Sequence, residues 1–151
     1  MRTPARIRIA ALTAVAAAAL TFAGAGAAQA KPPGTPAIPL NNEQESQTTG
    51  ATGGARGFMA YEIVGDEFCY TVEVEGLTGG AVATHVHVAP RNVAGPVVIP
   101  IAVPNATSFV VEDCVAAAPA LLAAIAAAPK AYYLNVHTPM FPGGEVRGQL
   151  K

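Results

Sequence analysis

The stretch ATHVHVAPRNVAGPVVIP, running from Ala83 to Pro100, decides the fold. Valines alternate with small or polar residues up to Val88, a loop containing Gly95-Pro96 follows, and an apolar run resumes at Val97. This is the pattern of two strands joined by a turn. Because strand side chains alternate, His85 and His87 share a face with Ala81, Ala83 and Ala89, while Val82, Val86 and Val88 point the other way. The third of the chain's three histidines, His137, lies in a second strand-like run, YYLNVHT, where Tyr133, Asn135 and His137 share a face. If the two runs are neighbours in one sheet or face each other across a cleft, three imidazoles converge.

Outward from that stretch the chain keeps the same grammar. Phe68, Tyr70, Val72 and Val74 alternate with Cys69, Thr71, Glu73 and Glu75, which predicts a strand with one wet face, and Gly65-Asp66-Glu67 turns it back on the run from Ala55 to Ile63. Residues 37–54 are polar and rich in turn formers, with apolar anchors at Ile38 and Leu40, so they predict an edge strand and a loop. Val97 to Val103 contains Pro100, which places it at a sheet edge or a bulge. Phe109 to Val111 predicts a short strand. Pro119 opens a helix whose stripe is Leu121, Leu122 and Ile125, and Pro129 closes it. Tyr132–Thr138 and Glu145–Leu150 form a last strand pair. The sum is an all-β chain, an antiparallel β-sandwich of about seven strands with one short Ala-rich helix.

The N-terminus has the form of an export signal. Arg2, Arg6 and Arg8 precede an apolar segment from Ile9 to Ala23, and Ala28-Gln29-Ala30 has the small-x-small form of a cleavage site. The segment meets Gly24 and Gly26 before reaching the roughly 20 apolar residues of a spanning helix. We therefore expect a signal peptide over residues 1–30, a Pro-rich spacer over 31–36, one domain over 37–151 and a secreted or extracytoplasmic protein that does not insert in the membrane. Without the three arginines, six basic side chains face ten acidic ones, a formal charge of −4. That balance excludes nucleic acid and anionic lipid as expected partners. In an exported chain the sole cysteines, Cys69 and Cys114, are expected to form one disulfide. A metal-ligating or reactive thiol pair is the competing reading, but neither cysteine lies in a C-x-x-C motif or beside a histidine.

No complete catalytic set is visible. Ser46 and Ser108 lie outside any G-x-S-x-G motif, the glycine-rich GATGGARG (50–57) follows no strand and opens no helix, and the acidic pairs Asp66-Glu67 and Glu112-Asp113 fit a turn and a strand end. The expectation is a non-enzymatic binding or structural module of unknown protein or extracellular ligand. Two readings of the histidines stand side by side. In one, His85, His87 and His137 form a buried polar network with Asn135, Thr138, Glu145 and Arg147. In the other, the three imidazoles bind copper or zinc, since neutral imidazole suits both metals and three ligands leave a position open. A site of the copper-zinc superoxide dismutase kind is excluded, because it needs more histidines than three.

These residues also resemble a family. ATHVHVAPRNVAGPVVIPI (83–101) is similar to the A-x-H-I-H, loop, G-P-V-V-x-P signature of the CHRD domain, the repeat first described in chordin, and AYYLNVHTPMFPGGEVRGQL (131–150) is similar to its closing signature. LNNEQESQTTGATGGARG (40–57) matches the family's start more loosely, with Glu45 at a characteristic acidic position. The resemblance implies a secreted, immunoglobulin-like β-sandwich, with His85, His87, Gly95, Pro96, Asn135, His137, Gly144, Glu145, Arg147 and Gly148 at signature positions. It does not imply chordin's antagonism of growth factors, which belongs largely to separate cysteine-rich modules. Pro90-Arg91-Asn92 departs from a loop that is glycine-rich in the family.

Overall fold

The structure, a computed structural model, describes residues 37–45 and 54–151. The expected signal peptide and spacer lie outside the described residues. Eight strands form two four-stranded antiparallel sheets: β1 (Ile38–Leu40), β2 (Arg56–Val64), β3 (Glu67–Glu75) and β6 (Phe109–Ala116) in the order β1-β2-β3-β6, and β4 (Ala83–Val88), β5 (Val97–Ile101), β7 (Tyr132–His137) and β8 (Val146–Gln149) in the order β5-β4-β7-β8. One helix, α1 (Pro119–Ala127), links β6 to β7 through a 3-10 turn at Pro129–Ala131. The β-sandwich read from the sequence is the fold observed.

The β2-β3 hairpin pairs Val64 with Glu67 across a two-residue turn. Gly65 begins that turn at φ +60°, a conformation in which a Cβ would be strained, so glycine closes the hairpin most readily. Phe68, Tyr70, Val72 and Val74 face inward and are buried, as their alternation predicts. They meet Val86, Ile99, Leu134, Val136 and Val146 from the other sheet, with Leu122 and Ile125 of α1 completing the same core. Each such side chain contributes about 1.5–3 kcal/mol by leaving water. Pro39 and Pro100 both sit in edge strands, where a missing N–H costs no ladder bond.

Two features depart from the sequence reading. β6 continues through Glu112, Asp113 and Cys114 to Ala116, well past the expected end at Val111. It is an edge strand exposed over much of its length, so its inward alternation is weak and charges are tolerated along it. Cys69 and Cys114 lie directly opposite each other in the β3-β6 ladder, Cα atoms 3.9 Å apart, and are joined by the expected disulfide. The second departure is at the opposite edge. The backbone N–H of Asn41 donates to Arg147 O at 3.0 Å, and that of Arg147 donates to Asn41 O at 2.9 Å. This bridge stitches the β1 end of one sheet to β8 of the other, and Lys151 Nζ reaches Ala37 O at 3.4 Å beside it.

Candidate metal centre

β4 and β7 are antiparallel neighbours with His85 opposite Asn135, His87 opposite Tyr133 and Ala83 opposite His137. His137 is thus the diagonal neighbour of His85 on the same face, within reach of a long side chain. Small Ala83 beside it leaves the space that the rings fill. The three imidazoles form a compact triangle with centroids 5.1, 5.5 and 5.7 Å apart. One nitrogen from each lies within 4.8 Å of the other two.

The hydrogen bonds fix the tautomers of two of the rings. His87 Nδ1 is 2.8 Å from Gly95 O and His137 Nδ1 is 2.9 Å from Pro142 O. A carbonyl only accepts, so both Nδ1 atoms carry the proton and both Nε2 atoms present a lone pair. His137 Nε2 meets His85 Nδ1 at 3.2 Å. His87 Nε2 is buried and has no hydrogen-bond partner. Burial is the first cause that lowers the pKa of all three rings; for His87 and His137 the charges of neighbouring imidazoles add to it, and for His87 that of Arg147 as well, while the bonds to Gly95 and Pro142 oppose it. The cluster is therefore a set of neutral imidazoles in which His85 Nδ1 donates to the lone pair of His137 Nε2, while the lone pair of His87 Nε2 has no hydrogen-bond partner.

The four polar residues expected to bond the histidines are buried on or beside this sheet but turn to other partners. Asn135 Nδ2 donates to Glu45 Oε2 at 3.3 Å and Gly143 O at 3.2 Å, so Glu45 does meet the signature residues. Glu145, fully buried, accepts from the hydroxyls of Thr138 at 2.7 Å and Thr78 at 3.0 Å, and from the Thr78 N–H at 2.8 Å. Arg147 donates to Pro90 O at 2.7 Å, Val93 O at 2.8 Å and Gln149 Oε1 at 3.1 Å. The single network anticipated from the sequence is replaced by a histidine triangle with its own backbone acceptors and separate polar locks around it. The reason is the covering loops, 89–96 and 138–145, which bring main-chain carbonyls over the sheet as acceptors for Asn135, Arg147, His87 and His137.

Tyr133 is the residue that sequence reasoning passed over. Its ring stacks on His87 at 4.9 Å and 8°, its other face receives the Arg147 guanidinium carbon 3.3 Å from the centroid, and its hydroxyl accepts the Gly95 N–H at 3.1 Å. The signal was present in the shared parity of Tyr133, Asn135 and His137. A second group with metal-ligand character, Glu67 with Cys69 and Cys114, has its sulfurs in the disulfide and so offers no thiolate.

A family model, the CHRD domain, matches residues 37–150. Neither a curated relative nor a solved structure matches the chain.

Proposed function

Since the chain belongs to the CHRD-domain family, whose members are extracellular and non-catalytic domains, we propose that it is an extracytoplasmic, non-enzymatic module that binds one copper or zinc ion through His85, His87 and His137. The observation behind this reading is the buried, partnerless Nε2 of His87 in a cluster where one nitrogen of each of the three rings lies within 4.8 Å of the others. A buried acceptor without a partner costs about 1–3 kcal/mol. A metal ion removes the deficit. The 3.2 Å between His85 Nδ1 and His137 Nε2 also suits chelation. Bonds of 2.0–2.1 Å in a tetrahedral site put adjacent ligand atoms about 3.3 Å apart.

The outer nitrogens support the same reading. Metal-ligating histidines commonly donate their other N–H to a carbonyl or carboxylate, which fixes the tautomer and raises ligand basicity. His87 and His137 do so with Gly95 and Pro142. Three neutral ligands leave at least one coordination position for water or an exchanging ligand. The Cys69–Cys114 disulfide suits an oxidising compartment. Among the described residues no helix is long and apolar enough to cross a membrane.

Titration of the purified protein with zinc and with copper tests the proposal. At free metal 100-fold above Kd, mass action adds about 2.7 kcal/mol, on the order of 10 °C in melting temperature for a domain of this size. His87→Ala should remove most of the shift. A wild-type protein whose melting point moves with neither metal would sink the proposal.

A further inference from the structure

Arg147 lies in the middle of β8, fully buried, and touches none of the three histidines by hydrogen bond. Its contacts nonetheless converge on His87. The guanidinium grips the loop after β4 at two points, Pro90 O and Val93 O. The same guanidinium covers one face of Tyr133, whose other face lies flat on the His87 ring. Two residues past Val93, Gly95 is held by both its backbone polar groups: its N–H donates to Tyr133 Oη at 3.1 Å, and its carbonyl accepts from His87 Nδ1 at 2.8 Å. A Cβ on Gly95 would collide with Val88 O, so the approach of loop to strand requires glycine.

From this arrangement we infer that Arg147 is a positioning residue of the metal centre: with Tyr133 it sets the ring plane and the tautomer of His87, and thereby turns Nε2 toward His85 and His137. The inference rests on the metal-binding reading for its function, and on the hydrogen bonds alone for its structure. Two chemical properties make arginine the residue for this task. A planar guanidinium stacks on a phenol ring while its N–H groups fork to two carbonyls, and lysine does neither in the same way. Loss of such an outer contact typically lowers metal affinity 10–100-fold.

The test uses the whole protein and the variants Arg147→Lys and Tyr133→Phe. In metal-free wild type, long-range proton-nitrogen NMR should find His87 wholly in the Nδ1–H form. In Arg147→Lys it should show a mixture of tautomers, and zinc affinity should fall 10–100-fold. The double variant Arg147→Lys/His87→Ala should bind within about threefold of His87→Ala alone, since residues acting through one another are not additive. Retention of the single tautomer, affinity within twofold of wild type, or a fully additive double variant would overturn the inference. Should Arg147→Lys not fold, Tyr133→Phe decides, because it keeps the ring but deprives Gly95 of its acceptor. It should mix the tautomers and weaken zinc at least fivefold, and an unchanged His87 would count against us. A wild-type protein that binds no metal defeats the functional proposal alone, since the tautomer measurement is made without metal.

Discussion

Gly144 stands where the covering loop meets the sheet, at φ +125°, and a Cβ there would fall on the carboxamide of Asn135. That carboxamide is already committed to Glu45 and Gly143 O, so it has little room to yield. We predict that Gly144→Ala lowers stability by about 1–3 kcal/mol, the usual cost of a residue held in a sparsely populated backbone region, as measured by urea unfolding. Because the same turn supplies the Pro142 carbonyl to His137, zinc affinity should fall with it. At this scale the convergence of His85, His87 and His137 was legible, since a period of two assigns each to a face. Their outer partners were not. Gly95 and Pro142 contribute main-chain oxygens, whose positions depend on the path of a loop and leave no trace in residue type.

Among the elements, β3 was readable because buried and more exposed positions alternate along it, and β7 because Leu134 and Val136 alternate with Asn135 and His137 in the sequence, although the strand is buried at nearly every position. β6 was readable only at its start, since an edge strand wet on much of its length has no strong alternation to detect. The Asn41–Arg147 bridge left no signal either, because backbone pairing between two sheets depends on how they are stacked. The disulfide bears on the β6 edge. It closes a sequence separation of 45 residues between β3 and β6, for which the chain-entropy model gives about 4 kcal/mol. A Cys69→Ala/Cys114→Ala variant should therefore unfold about 2–4 kcal/mol more easily in denaturant. Its zinc affinity should be unchanged, since the bridge belongs to the β1-β2-β3-β6 sheet and the histidines to the other.

Taken as a whole, the molecule buries both faces of β7 and β8, one on the apolar core and one beneath polar loops, so that β7 is covered along nearly its whole length. Hydropathy alone foretold the first of these layers; the second consists of arginine, glutamate, asparagine and histidine, which composition assigns to the surface. The cost of that layer is visible in pH. Burial chiefly depresses the pKa of each of the three imidazoles, so below the ordinary histidine value near 6.5 the unfolded chain binds more protons than the folded one. Their contribution is fully present above that value and is lost as pH falls toward the depressed folded-state values. The metal-free protein should thus melt at a lower temperature at pH 5 than at pH 7, and replacing all three histidines by glutamine should flatten the dependence between those limits. Zinc should steepen it, since ligation needs the neutral ring.

The seam that joins Asn41 to Arg147 has one more result: Ala37 and Lys151 come to lie side by side, so the described domain starts and finishes at a common edge. A unit with adjoining termini can be spliced into a host loop, threaded head to tail with short connectors, or reopened at the Gly65-Asp66 hairpin with its old ends fused. Evolution and the protein engineer are offered the same thing, an interchangeable bead whose histidine face is left undisturbed by how the string runs through it.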